Sequence, residues 1–122
     1  VILVDTSVWI DHLKGGDAAL AGLLENGRVL AHPFVIGEIA LGSLRQRSTV
    51  LTSLRDLPKT IVANDNEVLL YIEREKLFNT GIGYVDAHLL TAAKLTPGTL
   101  LWTRDRRLRE AAMRLELSAK LS

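Results

Sequence analysis

The chain has 122 residues, no cysteine, and 15 basic against 14 acidic side chains, for a formal net charge of +1. That length suits one compact domain, expected over residues 1–122, and the lack of cysteine excludes disulfide staples, zinc–thiolate sites and thiol catalysis while fitting a reducing, cytoplasmic setting. The near-neutral balance excludes a chain-wide attraction to polyanions, no apolar run approaches the ~20 residues of a membrane span, and no basic leader precedes Val1, so neither a membrane anchor nor a targeting segment is expected.

Val1 to Val4 is an aliphatic run that stops at Asp5-Thr6-Ser7, the pattern of a buried strand feeding a capped helix. The spacing predicts a short helix over 8–13 ended by Gly15-Gly16, and a second helix capped by Asp17 and stopped at Asn26-Gly27. Val29 to Ala31 reads as a strand. Helices follow over 34–44, entered through Pro33, and over 48–57, closed by Pro58. A short strand is predicted at 61–63. An amphipathic helix capped by Asn64 or Asp65 runs to about Phe78, and a loop with two glycines spans 79–83. The remaining elements are a helix over 86–95, a strand over 99–102, an arginine-rich helix over about 104–115 and a weak last strand near Ala119.

Short strands alternating with helices imply parallel pairing through helical crossovers, hence an α/β fold of three layers, α/β/α, around a short-stranded, mainly parallel sheet. Functional groups of such folds gather beyond the carboxyl ends of the strands. Asp5 and Asp105 both lie just past a predicted strand end.

Ten of the 14 acids have polar neighbours and read as solvated faces or caps. Four resist that reading. Asp5 ends an aliphatic strand, where a carboxylate is costly without a donor or cation. Its structural alternative is a helix cap, a role Ser7 is able to take. Glu38 sits among Phe34, Val35, Ile36, Ile39 and Leu41, so packed surroundings are expected for it. Asp86, in Gly-Tyr-Val-Asp-Ala-His, falls near a helix start that tolerates negative charge, and Asp105 fits a first helical turn after Thr103. The set carries the weight. Two carboxylates ~4 Å apart repel by about 4 kcal/mol at an effective dielectric near 20, so four converging anions call for protons or cations. An all-oxygen set suits Mg²⁺ or Mn²⁺, and such ions activate water against phosphodiesters.

Val-Asp-Thr-Ser at 4–7, the apolar-flanked Glu38 after His-Pro-Phe-Val-Ile-Gly, Asp86 in its Gly-Tyr-Val-Asp-Ala-His and Thr-Arg-Asp at 103–105, in that order and spacing, resemble PIN domains, and in particular the VapC-type toxins of toxin–antitoxin operons. The resemblance implies a metal-dependent endoribonuclease in which Asp5 and Asp86 bind the ion directly and Glu38 and Asp105 act through water. It further implies that Thr6 and Thr103 hold a carboxylate or water, and that the protein is a homodimer acting on cellular RNA and inhibited by a VapB-like antitoxin. Arg104 and Arg106, flanking Asp105, are candidate phosphate ligands, because guanidinium matches phosphate oxygens bidentately. Trp9 and Trp102 read as core residues, and His12, His32 and His88 as structural or exposed.

A receiver domain needs paired acids after its first strand, and a dehalogenase-like phosphatase needs an Asp two residues after its nucleophile; Asp5-Thr6-Ser7 supplies neither. Two alternatives remain open: a non-catalytic metal-containing module that binds RNA or a partner, and a housekeeping RNA-processing nuclease.

Overall fold

A computed structural model describes all residues, 1–122. The sheet has three parallel strands in the order β2-β1-β3, with β1 (Ile2–Val4) central between β2 (Val29–Leu30) and β3 (Leu100–Trp102). Ile2 pairs with Val29 on one side and Leu100 on the other, which sets the register. Adjacent strand residues point to opposite faces, yet Leu3 and Val4 are both wholly buried, as are Leu101 and Trp102. Both faces of the sheet are therefore covered, and the architecture is the three-layer α/β/α sandwich that the alternation predicts.

Seven helices supply the cover: α1 (Thr6–Gly15), α2 (Ala18–Glu25), α3 (Pro33–Ala40), α4 (Arg47–Asp56), α5 (Asp65–Glu75), α6 (Tyr84–Leu95) and α7 (Arg106–Arg114). None is long and apolar enough to cross a membrane. The core runs continuously through β1 and β3 to Val8 and Trp9 of α1, Leu20 of α2, Leu89 and Leu90 of α6 and Leu108 of α7. Trp9 and Trp102 are core residues, as their apolar neighbours suggest.

Several boundaries differ from the sequence reading, each for a local reason. The predicted strand at 61–63 does not form: the sheet-edge bridge is made earlier, between Ala31 and Lys59, and Ile61 and Val62 then leave the edge half-exposed. Helix α3 stops at Ala40, before Gly42, and leaves Leu41 at 90 % exposure. Helix α5 ends at Glu75 because Lys76 turns left-handed (φ 53°), and Arg114 donates to the freed Glu75 carbonyl. Asp105 is extended and caps α7, which starts at Arg106 and not at Arg104. The last strand is reduced to one bridge between Leu101 and Ser118.

Candidate active site

Asp5 follows β1 directly and is 7 % exposed. It is itself the cap of α1, accepting the Ser7 N–H at 3.4 Å, so Ser7 does not displace it from that role. Its Oδ2 also accepts the Ser7 hydroxyl at 2.8 Å and the Thr103 hydroxyl at 2.7 Å. Each hydroxyl is fixed from behind by a backbone donor: the Arg104 N–H on Ser7 Oγ at 3.0 Å, the Asp105 N–H on Thr103 Oγ1 at 3.1 Å. Since a hydroxyl has one proton, these acceptor bonds leave the proton free to serve Asp5. The ends of β1 and β3 are thereby fastened through one buried carboxylate. Sequence reasoning gave Ser7 no part in this; its only signal was the second hydroxyl in Asp-Thr-Ser.

Thr6 points elsewhere and donates to Glu38 Oε1 at 2.7 Å. Glu38 is exposed, contrary to the packed setting its apolar neighbours suggest. On the short α3 only Val35 and Ile39 are buried, while Phe34, Gly37 and Glu38 share the outward side. Asp86 lies in the first turn of α6 and accepts the Gly83 N–H at 3.1 Å. Asp105 caps α7 by accepting the Leu108 N–H at 3.0 Å and is otherwise exposed.

The Asp86 carboxyl is half-buried, and burial pushes its pKa above the usual carboxylate range. The Gly83 N–H opposes this, while the charges of Asp5, Asp105 and Glu38 all add to it. Four acids from four separate segments thus share one electrostatic neighbourhood past the carboxyl ends of β1 and β3.

The two candidate arginines behave differently from the expectation. Arg104 turns away to bind Asp11 Oδ2 at 2.8 Å, Asp17 Oδ2 and the Ser122 carbonyl, with its guanidinium 5.4 Å over the Trp102 ring. Its donors are committed to α1, the start of α2 and the chain end, and Asp17 is held below the usual carboxylate range chiefly by that bond. Arg104 is therefore a structural residue, its guanidinium engaged within the protein and not free for a phosphate. Arg106 is exposed and lies 3.9 Å from Glu110, a loose pair on one helix face. His32 and His88 are both buried, and the partly exposed Phe34 and Tyr84 make T-shaped contacts with the His88 ring at centroid distances of 4.7 and 4.8 Å.

Residues 2–113 match the family model of the PIN domain. The chain belongs to the PIN-domain family. Two relatives, each named Ribonuclease VapC32 and coming from the CDC 1551 / Oshkosh and H37Rv strains of Mycobacterium tuberculosis, are 49 % identical to this PIN domain over 111 residues, spanning 91 % of this chain and 90 % of each relative.

PIN-domain nucleases use divalent metal ions in general, and the acids of this PIN domain suit one. No three of them stand close enough to form a ready-made cage. Each is instead turned toward its own donor: Asp5 toward Ser7 and Thr103, Glu38 toward Thr6, Asp86 toward Gly83 and Asp105 toward Leu108. That arrangement fits a small hard ion, which keeps several waters and takes only one or two carboxylates, better than a fully dehydrated cation. The like-charge strain on Asp86 is what such an ion relieves.

Proposed function

We propose that this PIN domain is an endoribonuclease of the VapC type, hydrolysing phosphodiester bonds in cellular RNA as the toxin of a toxin–antitoxin pair in the cytoplasm. The reading is carried by the electrostatic convergence of Asp5, Glu38, Asp86 and Asp105, and supported by the 49 % identity to proteins named as ribonucleases. Asp5 and Asp86, the two less exposed acids, would hold Mg²⁺ or Mn²⁺ directly, and the exposed Glu38 and Asp105 would act on it through water. A bound divalent ion supplies Lewis acidity toward the phosphoryl oxygens and lowers the pKa of an attacking water. The chain's own contribution is orientation. Thr103 and Ser7 fix the Asp5 carboxylate, Thr6 fixes one oxygen of Glu38, and the second Glu38 oxygen is left to accept from water.

The VapC reading brings a VapB-like antitoxin and a second copy of the chain as partners. Apolar side chains at Phe34 and Leu41, both exposed, offer a surface for one of them. Helix α4 offers little such surface, because Leu54 is buried and Val50 and Leu51 pack on the core.

The deciding experiment incubates the purified protein with total RNA, with and without Mg²⁺ or Mn²⁺, beside Asp5→Asn and Asp86→Asn proteins shown to be folded by circular dichroism. Cleavage that needs the metal and is lost in both variants is the expected result. Undiminished cleavage by either variant overturns the assignment, and metal-dependent melting without any cleavage favours the non-catalytic module.

A further inference from the structure

Arg107 is the basic residue that the geometry singles out between the start of α7 and the loop 79–83. Its side chain crosses from the first turn of α7 to the loop 79–83 and lies flat on Gly81, so closely that a methyl group there would sit 2.7 Å from Nη1 and 2.8 Å from Cδ. Gly81 is also left-handed (φ 83°), a backbone state that suits glycine, so loop shape and the absence of a side chain both serve this approach. The two segments joined in this way lead to two of the four acids. Asp105 is the residue capping α7 two positions before Arg107, and Gly83, two positions after Gly81, donates to Asp86.

Arg107 is exposed and makes no ion pair and no hydrogen bond, although Arg104 is doubly paired and Arg106 lies near Glu110. A guanidinium positioned by packing alone keeps all five of its donors for a ligand. On a surface shared by the segments of Asp86 and Asp105, the group that suits such a free guanidinium is an anion brought by the substrate, and a phosphodiester matches the planar fork.

Resting on the ribonuclease reading, we infer that Arg107, seated on Gly81, is an RNA-phosphate ligand that binds a phosphate of the substrate strand next to the acidic site. Its role is binding and positioning. The contact with Gly81 holds the guanidinium in place, and the ligand supplies the counter-charge that the protein withholds.

The test separates charge from packing. Arg107→Met keeps an unbranched side chain for Gly81 and removes the charge; Arg107→Lys keeps the charge and loses the fork. Binding of a fluorescein-labelled RNA stem-loop is followed by anisotropy over a salt series, every protein carrying Asp86→Asn so that the RNA stays intact, and KM and kcat are measured for the same substitutions in the otherwise unaltered protein. Arg107→Met is expected to weaken binding and reduce the slope of log K against log salt by roughly 0.7 to 0.9, the value for one phosphate contact. KM should rise about tenfold with a smaller change in kcat, Arg107→Lys should recover most of the salt slope, and the melting temperature should stay unchanged. Gly81→Ala, which pushes the guanidinium aside, should weaken binding in the same direction. Unaltered affinity and salt slope in Arg107→Met overturn the inference while leaving the nuclease reading intact, as does a defect of equal size in Met and Lys variants. Unsubstituted protein that neither binds nor cuts RNA overturns both.

Discussion

The Thr103 hydroxyl donates a 2.7 Å hydrogen bond to the Asp5 carboxylate, across 98 positions of the chain. Both residues are buried, and each directly follows a strand of the same sheet, β1 for Asp5 and β3 for Thr103. Replacing Thr103 by Val keeps the shape and removes the oxygen, so Asp5 loses a donor and the Asp105 N–H loses its acceptor. Thr103→Val is expected to cost about 2 kcal/mol in urea denaturation and to slow RNA cleavage by roughly 10- to 100-fold, as for other groups that orient metal ligands. Thr103→Ser should restore most of both, and a Val variant cutting at the normal rate would show that Asp5 needs no such support.

Asp86 carries the strain of the site. Its folded pKa is raised, so between the unfolded and folded values the native state holds more protons, and metal-free stability should fall as pH rises through that window. Asp86→Asn removes the charge and keeps an oxygen for the Gly83 N–H. Without metal this variant should melt at or above the temperature of the parent. Mn²⁺ should raise the melting temperature of the parent and have a smaller effect on the variant. Calorimetry with and without Mn²⁺ checks both points, and a markedly less stable Asn protein would mark Asp86 as a structural acid.

His32 gives the fold a separate acid sensitivity. Its Nδ1 accepts the Phe34 N–H at 3.0 Å, so the neutral ring carries its proton on Nε2 inside the core. Burial first, and the neighbouring His88 second, bring its pKa down from 6.5 to about 4. Because the unfolded chain takes up a proton that the native state refuses, stability should decline as pH falls from about 6.5 to about 4 and level off below. The loss should be roughly 2 kcal/mol, allowing for partial solvent screening. His32→Asn, which still caps α3, should remove this component in urea titrations compared across the same pH range, whatever constant packing loss it adds.

Arg104 separates fold support from substrate binding. Arg104→Met breaks the pairs to Asp11 and Asp17 and the bond to the Ser122 carbonyl. A stability loss of about 1 kcal/mol, smaller at high salt, is expected together with an unchanged KM for RNA. A raised KM for Arg104→Met, with its stability matched to the parent, would return a phosphate role to Arg104.

Much of this was legible in local pattern. The aliphatic run before Asp5, the caps at Asp17 and Asn64, and the strand before Thr103 all follow from residue types that act on their immediate neighbours, and the structure has them. Glu38 was misjudged because apolar neighbours in sequence do not fix which side of a short helix is buried. Residues one and two positions apart point apart by large angles, and α3 faces the core through Val35 and Ile39, with Ile36 partly covered beside them.

The arginine cluster carries the larger lesson. Arg104, Arg106 and Arg107 are near-equivalent as sequence, since each is a cation beside Asp105. Arg106 faces Glu110 one helical turn on, but which arginine is spent on Asp11 and Asp17 and which lies free on Gly81 depends on distant partners, Asp11 lying 93 positions from Arg104 and Gly81 26 from Arg107. By itself the sequence determined the alternation of elements and the apolar centre, and set four acids apart as candidates, because desolvation and periodicity act residue by residue. The tertiary structure alone decided that Ser7 and Thr103 meet on Asp5 and that Asp86 feels three other charges. Those are distances between segments, and only the packed sheet brings the segments within reach of a hydrogen bond or a Coulomb interaction.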